Sequence, residues 1–443
     1  MPDQSYPKPF HPKRRHRFFS SVFWRQRLLF WGGAVIVGLV AALFAMLCGK
    51  AEHLFKLMLH VSPLLPLAIT PLGFLISAYV TKRFFQGAAG SGIPNVIAAR
   101  QLTDMTQRSN LVSIRIIIGK IVLTAFGLLS GASIGREGPT VQIGAAIMLA
   151  VGRFFGRNKQ YGVILAGGAA GIAAAFNTPL AGIVFAIEEL SRKFERRSSN
   201  FVLTAIIFAG VSSIVVTGDY TYFGRTNAAI RLHDWPVVIL CGVVGGVMGG
   251  LFSRFIIAVL TGQLPYGITN IIKRYPLYYA TLCGFTVAVL GLLSHNTIYG
   301  TGYEQAGLLI QDSHEIPWYF GLMKMIATAL SSVSGIPGGF FAPSLATGAG
   351  FGANIAHFMP NAPVHAVVIL GMVAYFSGIV QAPITAFVIV FEMTDNHAMV
   401  VPIMAAALIA TAISRTICRK SIYHTLAEYM LDAMRQETPE SAG

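Results

Sequence analysis

Long apolar runs without charged residues alternate along the chain with short basic segments. Several long stretches contain no Lys, Arg, Asp or Glu, among them 28–49, 57–81, 201–217, 235–253, 275–303, 325–391 and 396–414. Each is close to or longer than the roughly 18–20 residues with which an α-helix crosses a bilayer, whereas a helix in a soluble core rarely needs this length. The pattern predicts an all-α polytopic membrane protein.

Glycine and proline interrupt many of the apolar runs, and the 443-residue chain contains 46 Gly and 21 Pro. Interrupted hydrophobic segments at corresponding places in two halves are typical of broken helices that line a site near the bilayer midplane. Such halves are present, because residues 119–144 align with residues 323–348 at a constant offset of 204. In this register Lys120 pairs with Lys324.

The same register continues beyond these two segments. Pro179 of "FNTPLAGIVFAIEE" pairs with Pro383 of "VQAPITAFVIVFEM", and nine residues later Glu188 pairs with Glu392. Small apolar residues often match by chance in membrane chains, but Lys, Pro and Glu in one register rarely do. We therefore expect two homologous halves within one membrane domain.

The paired motifs and the apolar runs together set the expected domain organisation. "GSGIP" at 90–94 resembles "GTGYE" at 300–304, at an offset of 210. The chain is expected to comprise a basic N-terminal segment over 1–27, a membrane domain over 28–436 with repeats near 30–225 and 230–415 and a final helix near 421–436, and a short tail over 437–443.

The excess of Lys and Arg, 33 residues against 18 Asp and Glu, is concentrated at the ends of the apolar runs. This distribution argues against nucleic-acid binding and is typical of cytoplasmic anchors, so the N-terminus is expected in the cytoplasm. The loop "SRKFERR" after Glu189 is basic, whereas the matching position after Glu392 carries Asp395 and no Lys or Arg. This asymmetry predicts inverted repeats. The four cysteines lie far apart without metal-ligand spacing and are interpreted as buried apolar residues.

Three Gly/Pro-rich turns each open onto an apolar, helix-like segment: "GSGIP" at 90–94, "GREGP" at 135–139 and "GGFFAP" at 338–343. Glycine lets the backbone approach a ligand closely, and proline suits the first turn of a helix. Converging helix starts present unpaired N–H groups and positive dipole ends, so they bind an anion without a fixed positive charge. The alternative is that each turn only kinks the chain or aids packing.

The second turn carries a carboxylate, Glu137, in an otherwise apolar region. An ionisable residue within a membrane segment is a functional candidate by default. At a helix start it would compete with a free anion for the same amide groups. The alternative is a structural ion pair with Arg136.

Two further acids, Glu188 and Glu189, end another apolar run. Because Glu188 has a repeat mate in Glu392, it is expected to have a structural role. Glu189 pairs with Met393 instead, so it is the copy-specific acid and the better candidate for proton transfer. The alternative is that one of these acids only caps a helix or pairs with the basic residues Arg192 or Lys193.

Together, these motifs resemble, in order, the anion-site motifs of the CLC chloride channel and transporter family, over about residues 30–430. Tyr423 of "KSIYHTLAE" stands where the family's pore tyrosine is expected. The resemblance implies a CLC-type fold of two inverted repeats of tilted, partly spanning helices, whose half-helix N-termini meet at a midplane anion site, and a homodimer. It also implies that the anion is held by the hydroxyls of Ser91 and Tyr423 and by backbone amides around Gly138, Phe340, Phe341 and Ala342.

The resemblance assigns roles to the acids as well. Glu137 matches the gating glutamate and outer proton carrier, and Glu189 matches the inner proton acceptor of the family's antiporters. These matches favour a Cl⁻/H⁺ antiporter of the voltage-gated chloride channel family, with a passive chloride-selective channel on the same fold as the alternative. Ser91 favours chloride over nitrate. Asn95 stands where some bacterial relatives carry an acid, and if that acid serves the inner proton route, coupling is weaker here.

Chloride and protons are the expected substrates, in the lipid bilayer of a bacterial inner (plasma) membrane with both termini in the cytoplasm. The enzyme motifs HExxH and GxxxxGK[ST] do not occur in the sequence, so we expect no enzyme activity. Neither a cofactor nor a metal is expected. Because only about 20 residues follow Tyr423, no nucleotide-binding regulatory domain is expected.

Overall fold

The computed structural model describes residues 21–154, 160–191, 196–218, 222–224, 226, 228–311 and 315–437. The predicted basic segment up to residue 20, the tail after residue 437, the residues 192–195 of the basic loop and the predicted cytoplasmic termini lie outside these residues. The first helix begins at Ser21, so the expected boundary at residue 27 falls inside it. Arg25 and Arg27 are exposed there, since arginine at the end of a membrane helix keeps its charged head in water.

Helices make up the regular structure of the described residues, and they differ widely in length. The first half contains α1 (Ser21–Val61), α2 (Pro66–Phe84), α3 (Ile93–Gln101), α4 (Met105–Leu111), α5 (Ile114–Leu129), α6 (Glu137–Gly152), α7 (Gln160–Phe176), α8 (Pro179–Phe185) and α9 (Arg196–Thr217). The second half contains α10 (Trp235–Leu260), α11 (Tyr266–Arg274), α12 (Pro276–Leu293), α13 (Tyr303–Ile310), α14 (Phe320–Val333), α15 (Phe341–Phe358), α16 (Val364–Val380), α17 (Pro383–Thr394) and α18 (Val400–Ile417), and α19 (Ile422–Glu437) follows.

Spanning and partly spanning helices are mixed in this architecture. In the described part of the chain, five helical stretches are long and apolar enough to cross a bilayer: Trp24–Val61, Met105–Leu129, Leu232–Leu260, Pro276–Leu293 and His397–Ile417. By contrast, α3 and α8 have only 9 and 7 residues. Helices of that length are too short to span the hydrocarbon core. The prediction of an all-α polytopic membrane fold is confirmed.

The repeat in the sequence is also a repeat in the structure. Helices α7 and α16 begin at residues 160 and 364 and end at residues 176 and 380, so both ends differ by 204. The residues that follow, Asn177 and Gln381, both adopt the left-handed conformation, with φ of 56° and 55°. The two halves therefore repeat the backbone conformation of their turns as well as the positions of their helices.

Reciprocal contacts relate the two halves by an approximate two-fold axis. Gly135 and its repeat mate Gly339 exchange both backbone hydrogen bonds, at 2.6 and 2.8 Å, in an antiparallel bridge. Glu188 accepts hydrogen bonds from the first amides of α17, and Glu392 accepts from the first amides of α8. Exchange of equivalent contacts is the mark of a two-fold interface. Glu188 and Glu392 thus have the structural role that their pairing in the repeat predicted.

Closely packed glycines hold the helices that begin inside the protein. A Cβ atom added to Gly144 of α6 would lie 2.3 Å from the carbonyl oxygen of Gly167 in α7. The repeat mates Gly348 and Gly371 stand in the same relation, at 2.5 Å. Small residues let helix backbones approach each other closely in membranes. This packing fixes α6 against α7 and α15 against α16, and so positions the starts of α6 and α15.

Two buried lysines fix the turns before α3 and α13. The Lys120 ammonium donates hydrogen bonds to the carbonyl oxygens of Ala88 and Gly90, at 2.7 and 2.6 Å. Its repeat mate Lys324 donates in the same way to the carbonyls of Ile298 and Gly300, at 2.7 and 2.8 Å. Two residues after the Gly90 and Gly300 carbonyl groups, Gly92 and Gly302 have backbone φ angles of 94° and 81°, which residues with a Cβ atom rarely adopt. The lysines therefore stabilise tight turns that require glycine and lead into helix starts.

Replacing Lys324 with methionine is expected to lower the melting temperature of the purified protein by several degrees. The change leaves buried carbonyl groups without a donor, a loss of roughly 2–4 kcal/mol. Thermal unfolding in detergent measures the effect. Lys273, exposed on α11, provides the matched control, and its replacement by methionine is expected to leave the melting temperature unchanged. Equal melting temperatures for the two variants would contradict the structural role of Lys324.

Candidate anion site

The three Gly/Pro-rich turns come together where α3, α6 and α15 begin. A Cβ atom added to Gly138 would lie only 2.3 Å from Ser91 Oγ, so the start of α6 contacts the turn before α3. At the start of α15, the Phe340 ring stacks on the Tyr423 ring of α19, with centroids 5.2 Å apart and planes 11° from parallel. The Phe341 ring lies 6.3 Å from the same tyrosine ring. The structure thus brings together the residues that the sequence assigned to the anion site.

Two hydroxyl groups in this assembly form no hydrogen bond with a protein group among the described residues. Ser91 Oγ and the Tyr423 hydroxyl are buried and close to each other, but within the described residues neither meets the geometry of a hydrogen bond. Buried polar groups are nearly always hydrogen-bonded, to protein, water or an ion. Two O–H donors beside converging helix N-termini suit an anion. The site therefore offers buried O–H donors that a bound anion can use.

The Glu137 carboxylate lies at the start of α15. Its Oε1 accepts a hydrogen bond from the Tyr303 hydroxyl at 2.8 Å, and its Oε2 accepts from the Ala342 backbone N–H at 3.4 Å. Glu137 is completely buried, and Ala342 is the second residue of α15. The carboxylate is therefore at the positive end of that helix, where a free anion would use the same amide.

The neighbouring Arg136 makes its hydrogen bonds elsewhere. Its guanidinium donates to the Ala45 carbonyl at 2.6 Å and to the Tyr222 hydroxyl at 2.7 Å. The Tyr222 hydroxyl in turn donates to the Ala175 carbonyl at 2.8 Å. The hydrogen bonds to Glu137 come from Tyr303 and an amide instead, so the geometry does not favour the alternative of a structural Arg136–Glu137 pair.

The second candidate acid, Glu189, lies in a π-helical segment, Ala186–Ser191, that continues α8. Such segments often occur at functional sites. Glu189 is buried, and its Oε1 accepts a hydrogen bond from Ser421 Oγ at 3.3 Å. The Nε2 atom of His424 lies 3.6 Å from the same carboxylate oxygen. Because Ser421 and His424 flank Tyr423, Glu189 is held against the segment that carries the tyrosine of the anion site.

Two cavities, lined by different helices and turns, lie near residues of the candidate site. The first, of about 310 Å³, is lined by residues that include Cys48, Glu52, Arg136, Tyr222, Tyr303 and Glu304. The second, of about 820 Å³, is lined by residues that include Arg83, Asn95, Arg115 and Tyr429. We call them the Tyr303 cavity and the Asn95 cavity. Tyr303 contacts Glu137, and Asn95 follows Ser91 by four residues, so each cavity reaches a neighbour of a candidate site residue.

The sequence did not identify Tyr303 or Tyr222 as members of this site. For Tyr303 a signal was available, because "GTGYE" aligns with "GSGIP" and the residue after its second glycine begins a helix. Tyr222 stands in a connecting segment outside the repeat motifs and gave no signal.

The sequence also singled out Asn95, where some bacterial relatives carry an acid. In the structure Asn95 donates a hydrogen bond to the Gly87 carbonyl at 3.2 Å, and the groups that accept hydrogen bonds from Lys120 are backbone carbonyls.

Buried helix starts around two unpartnered hydroxyls and a carboxylate define an ion-transport protein built from broken membrane helices. Comparison with known families identifies which one. The chain belongs to the voltage gated chloride channel family, whose model matches residues 73–415. It is therefore a multi-pass integral membrane transport protein and not an enzyme.

Bacterial relatives cover most of the chain. It is 31% identical over 396 residues to the H(+)/Cl(-) exchange transporter ClcA of Yersinia pestis bv. Antiqua (strain Angola), a match that covers 84% of this chain and 80% of that protein. It is 30% identical over 421 residues to the H(+)/Cl(-) exchange transporter ClcA of Citrobacter koseri, with 89% and 87% of the two chains covered.

Solved structures share the fold at lower sequence identity. A slow cyanobacterial Cl⁻/H⁺ antiporter matches with a TM-score of 0.76 and 24% identity, over 91% of this chain and 98% of that chain. A CLC-type fluoride/proton antiporter matches with a TM-score of 0.78 and 21% identity, over 92% and 98% of the two chains. The CLC-type fold is therefore confirmed. These neighbours transport different anions, so the likeness of fold does not identify the ion.

Proposed function

We propose that the protein exchanges chloride for protons across a bacterial inner membrane. The observation that carries the proposal is the Glu137 carboxylate, held at the start of α15 in an assembly that contains the unpartnered hydroxyls of Ser91 and Tyr423. The names of the two ClcA relatives, at 31% and 30% identity, support the same pair of substrates. Chloride and protons are cargo, and the proposal requires no cofactor.

Chloride is held by partial charges in this proposal. The donors are the hydroxyls of Ser91 and Tyr423 and the backbone amides around Gly138, Phe340, Phe341 and Ala342. Without a fixed counter-charge, the site binds the ion strongly enough for it to enter and weakly enough for it to leave, as transport requires. The absence of a carboxylate acceptor for the Ser91 and Tyr423 hydroxyls in the described residues supports this assignment.

Glu137 is the group that links the two ions. When ionised, its carboxylate occupies the Ala342 amide and excludes chloride from the start of α15. When protonated, it loses its charge, and a neutral carboxyl group forms weaker hydrogen bonds than a carboxylate. It then leaves the amide to chloride. One side chain therefore responds to both substrates, and this response is the basis of coupling.

Glu189 is the inner proton acceptor in the same proposal. It is a buried acid without an acidic mate in the second repeat, and Ser421 and His424 hold it beside the segment of Tyr423. Tyr423 stacks on Phe340 at the start of α15, where Glu137 lies, and its neighbours Ser421 and His424 contact Glu189. Protons that pass between the two acids would therefore pass the anion site, while chloride does not need Glu189.

Flux measurements on purified protein in liposomes distinguish chloride/proton exchange from a passive chloride channel. With the membrane potential clamped near zero by potassium and valinomycin, an outward chloride gradient is expected to drive protons into the vesicles. Exchange requires this proton uptake, because each departing chloride is coupled to proton entry. A chloride efflux without proton uptake, compared with protein-free liposomes, would contradict exchange and support the chloride channel.

We also propose that two copies form a homodimer, each with its own anion site. Helices α8, α9, α17 and α18 carry large exposed apolar side chains, among them Leu180, Ile207, Ile384 and Leu408. Helices α8 and α17 are joined by the reciprocal caps of Glu188 and Glu392, so these side chains belong to neighbouring elements. The family resemblance supports an assembly through such a face. Both termini are proposed to lie in the cytoplasm, as the basic segment before α1 indicates.

A further inference from the structure

Tyr303 is the residue that begins α13, and it contacts the Glu137 carboxylate from outside the three anion-site motifs. Its hydroxyl donates to Glu137 Oε1 at 2.8 Å, while the Ala342 amide holds the other carboxylate oxygen. The repeat mate of Tyr303 is Ile93, whose side chain has no hydrogen-bond donor. The second repeat therefore adds a hydroxyl where the first has a hydrocarbon side chain.

The Tyr303 ring is held in place by other aromatic residues. It packs against the Tyr222 ring with centroids 4.8 Å apart and against the Phe223 ring at 6.1 Å. Tyr222 is itself fixed, because its hydroxyl accepts from Arg136 and donates to Ala175. Aromatic packing of this kind limits the rotation of the ring. The hydroxyl is therefore oriented toward Glu137 before any ion binds.

The position of Tyr303 also separates Glu137 from solvent. Tyr303 and Arg136 line the Tyr303 cavity, whereas Glu137 is completely buried and does not line it. A carboxylate that leaves the start of α15 toward this cavity must break its hydrogen bond to the Tyr303 hydroxyl. Tyr303 is thus placed where it resists that movement.

We propose that Tyr303 is a positioning residue that holds the Glu137 carboxylate in the place where it excludes chloride. This inference rests on the proposed role of Glu137 as the gate. A hydrogen bond to an ionised acceptor is about twice as strong as one between neutral groups, so Tyr303 favours the ionised, blocking state of Glu137. Among the described residues, the other charged or titratable groups near this carboxylate are Arg136, Cys48 and Tyr423.

The test is the pH profile of chloride transport by Tyr303→Phe in liposomes. Phenylalanine keeps the ring and its packing but removes the hydroxyl. Because the ionised state loses a charge-assisted hydrogen bond, the pH of half-maximal chloride flux is expected to rise by about one unit. At a pH between the two midpoints, flux then increases several-fold. A profile that coincides with that of the unchanged protein would overturn the inference.

Tyr299→Phe is the matched control. The Tyr299 hydroxyl donates to the Ala288 carbonyl at 3.2 Å, and its ring packs against Phe55 at 5.0 Å. This tyrosine precedes α13 by only a few residues, and its hydroxyl and ring contact Ala288 and Phe55 rather than Glu137. Its replacement is expected to leave the pH profile unchanged. An equal shift in both variants would show a general effect of losing a buried hydroxyl, and would also overturn the inference.

Measurements on Glu137→Gln distinguish failure of this inference from failure of the proposed function. Glutamine cannot ionise, so adding Tyr303→Phe to Glu137→Gln is expected to leave the pH profile of chloride flux unaltered. If Glu137→Gln itself retains the original pH dependence, the proposed gate is wrong. If Glu137→Gln removes that dependence but Tyr303→Phe alone does not shift the pH of half-maximal flux, the proposed role of Glu137 is supported and only the role of Tyr303 is wrong.

Discussion

Replacement of Glu137 by alanine is expected to leave chloride flux through liposomes intact and to reduce chloride-driven proton uptake by roughly 10²-fold or more. The proton loss is the size expected when a positioned proton-transfer group is removed. Chloride flux persists because the amide of Ala342, which the carboxylate occupied, becomes free for the anion. Simultaneous recording with a chloride electrode and a pH electrode measures both fluxes in one preparation.

Glu304→Gln is the matched control for this experiment. Glu304 follows Tyr303 directly, lines the same cavity and pairs with Lys56, but its side chain is 61% exposed. Loss of a surface ion pair changes stability by about 1 kcal/mol or less. The control is expected to retain coupled proton uptake. If Glu137→Ala also retained it, the proposed proton route through Glu137 would have to be abandoned.

The second large effect is expected for Glu189→Gln, which should lose proton coupling by a similar factor while it continues to transport chloride. Glutamine has the shape of glutamate and an oxygen that accepts from Ser421, so the surroundings of the side chain are kept. It cannot carry a proton as an acid does. The same paired recording of chloride and proton flux tests this prediction.

The adjacent acid, Glu188, provides a control that is expected to lose stability rather than proton coupling. Glu188 accepts from the amides of Ile384 and Thr385 at 3.2 and 2.6 Å and so caps α17. Glu188→Gln is expected to keep proton coupling but to lower the melting temperature, since a weakened helix cap costs about 1 kcal/mol. Lost coupling in Glu188→Gln together with normal coupling in Glu189→Gln would reverse the assignment of the two acids.

The sequence alone was sufficient for the helical architecture and its repeat. Apolar length is a local property that determines whether a segment can cross a bilayer, so the charge-free runs predicted the helices without any knowledge of their neighbours. The paired Pro179 and Pro383 each begin a helix in the structure, because proline suits the first turn in either copy. The pairing of Glu188 with Glu392 likewise indicated a structural role, which the reciprocal caps explain.

The candidate site was predictable only in part. Ser91, Glu137 and Tyr423 were identified through motifs and a family resemblance, since each stands in a characteristic local pattern. The Arg136–Glu137 alternative arose because neighbours in sequence are the simplest partners to suppose. In the structure Arg136 finds acceptors in Ala45 and Tyr222, which no local pattern relates to it.

Local chemistry in the sequence therefore determined where helices begin, where turns require glycine and which acids differ between the two copies. The tertiary structure decided which groups meet. Tyr303 and Ala342 reach Glu137 across 166 and 205 residues of chain. Such contacts depend on how the two halves interlock about their approximate two-fold axis. The packing of glycine pairs and buried lysines sets that arrangement, and no segment of the sequence contains it by itself.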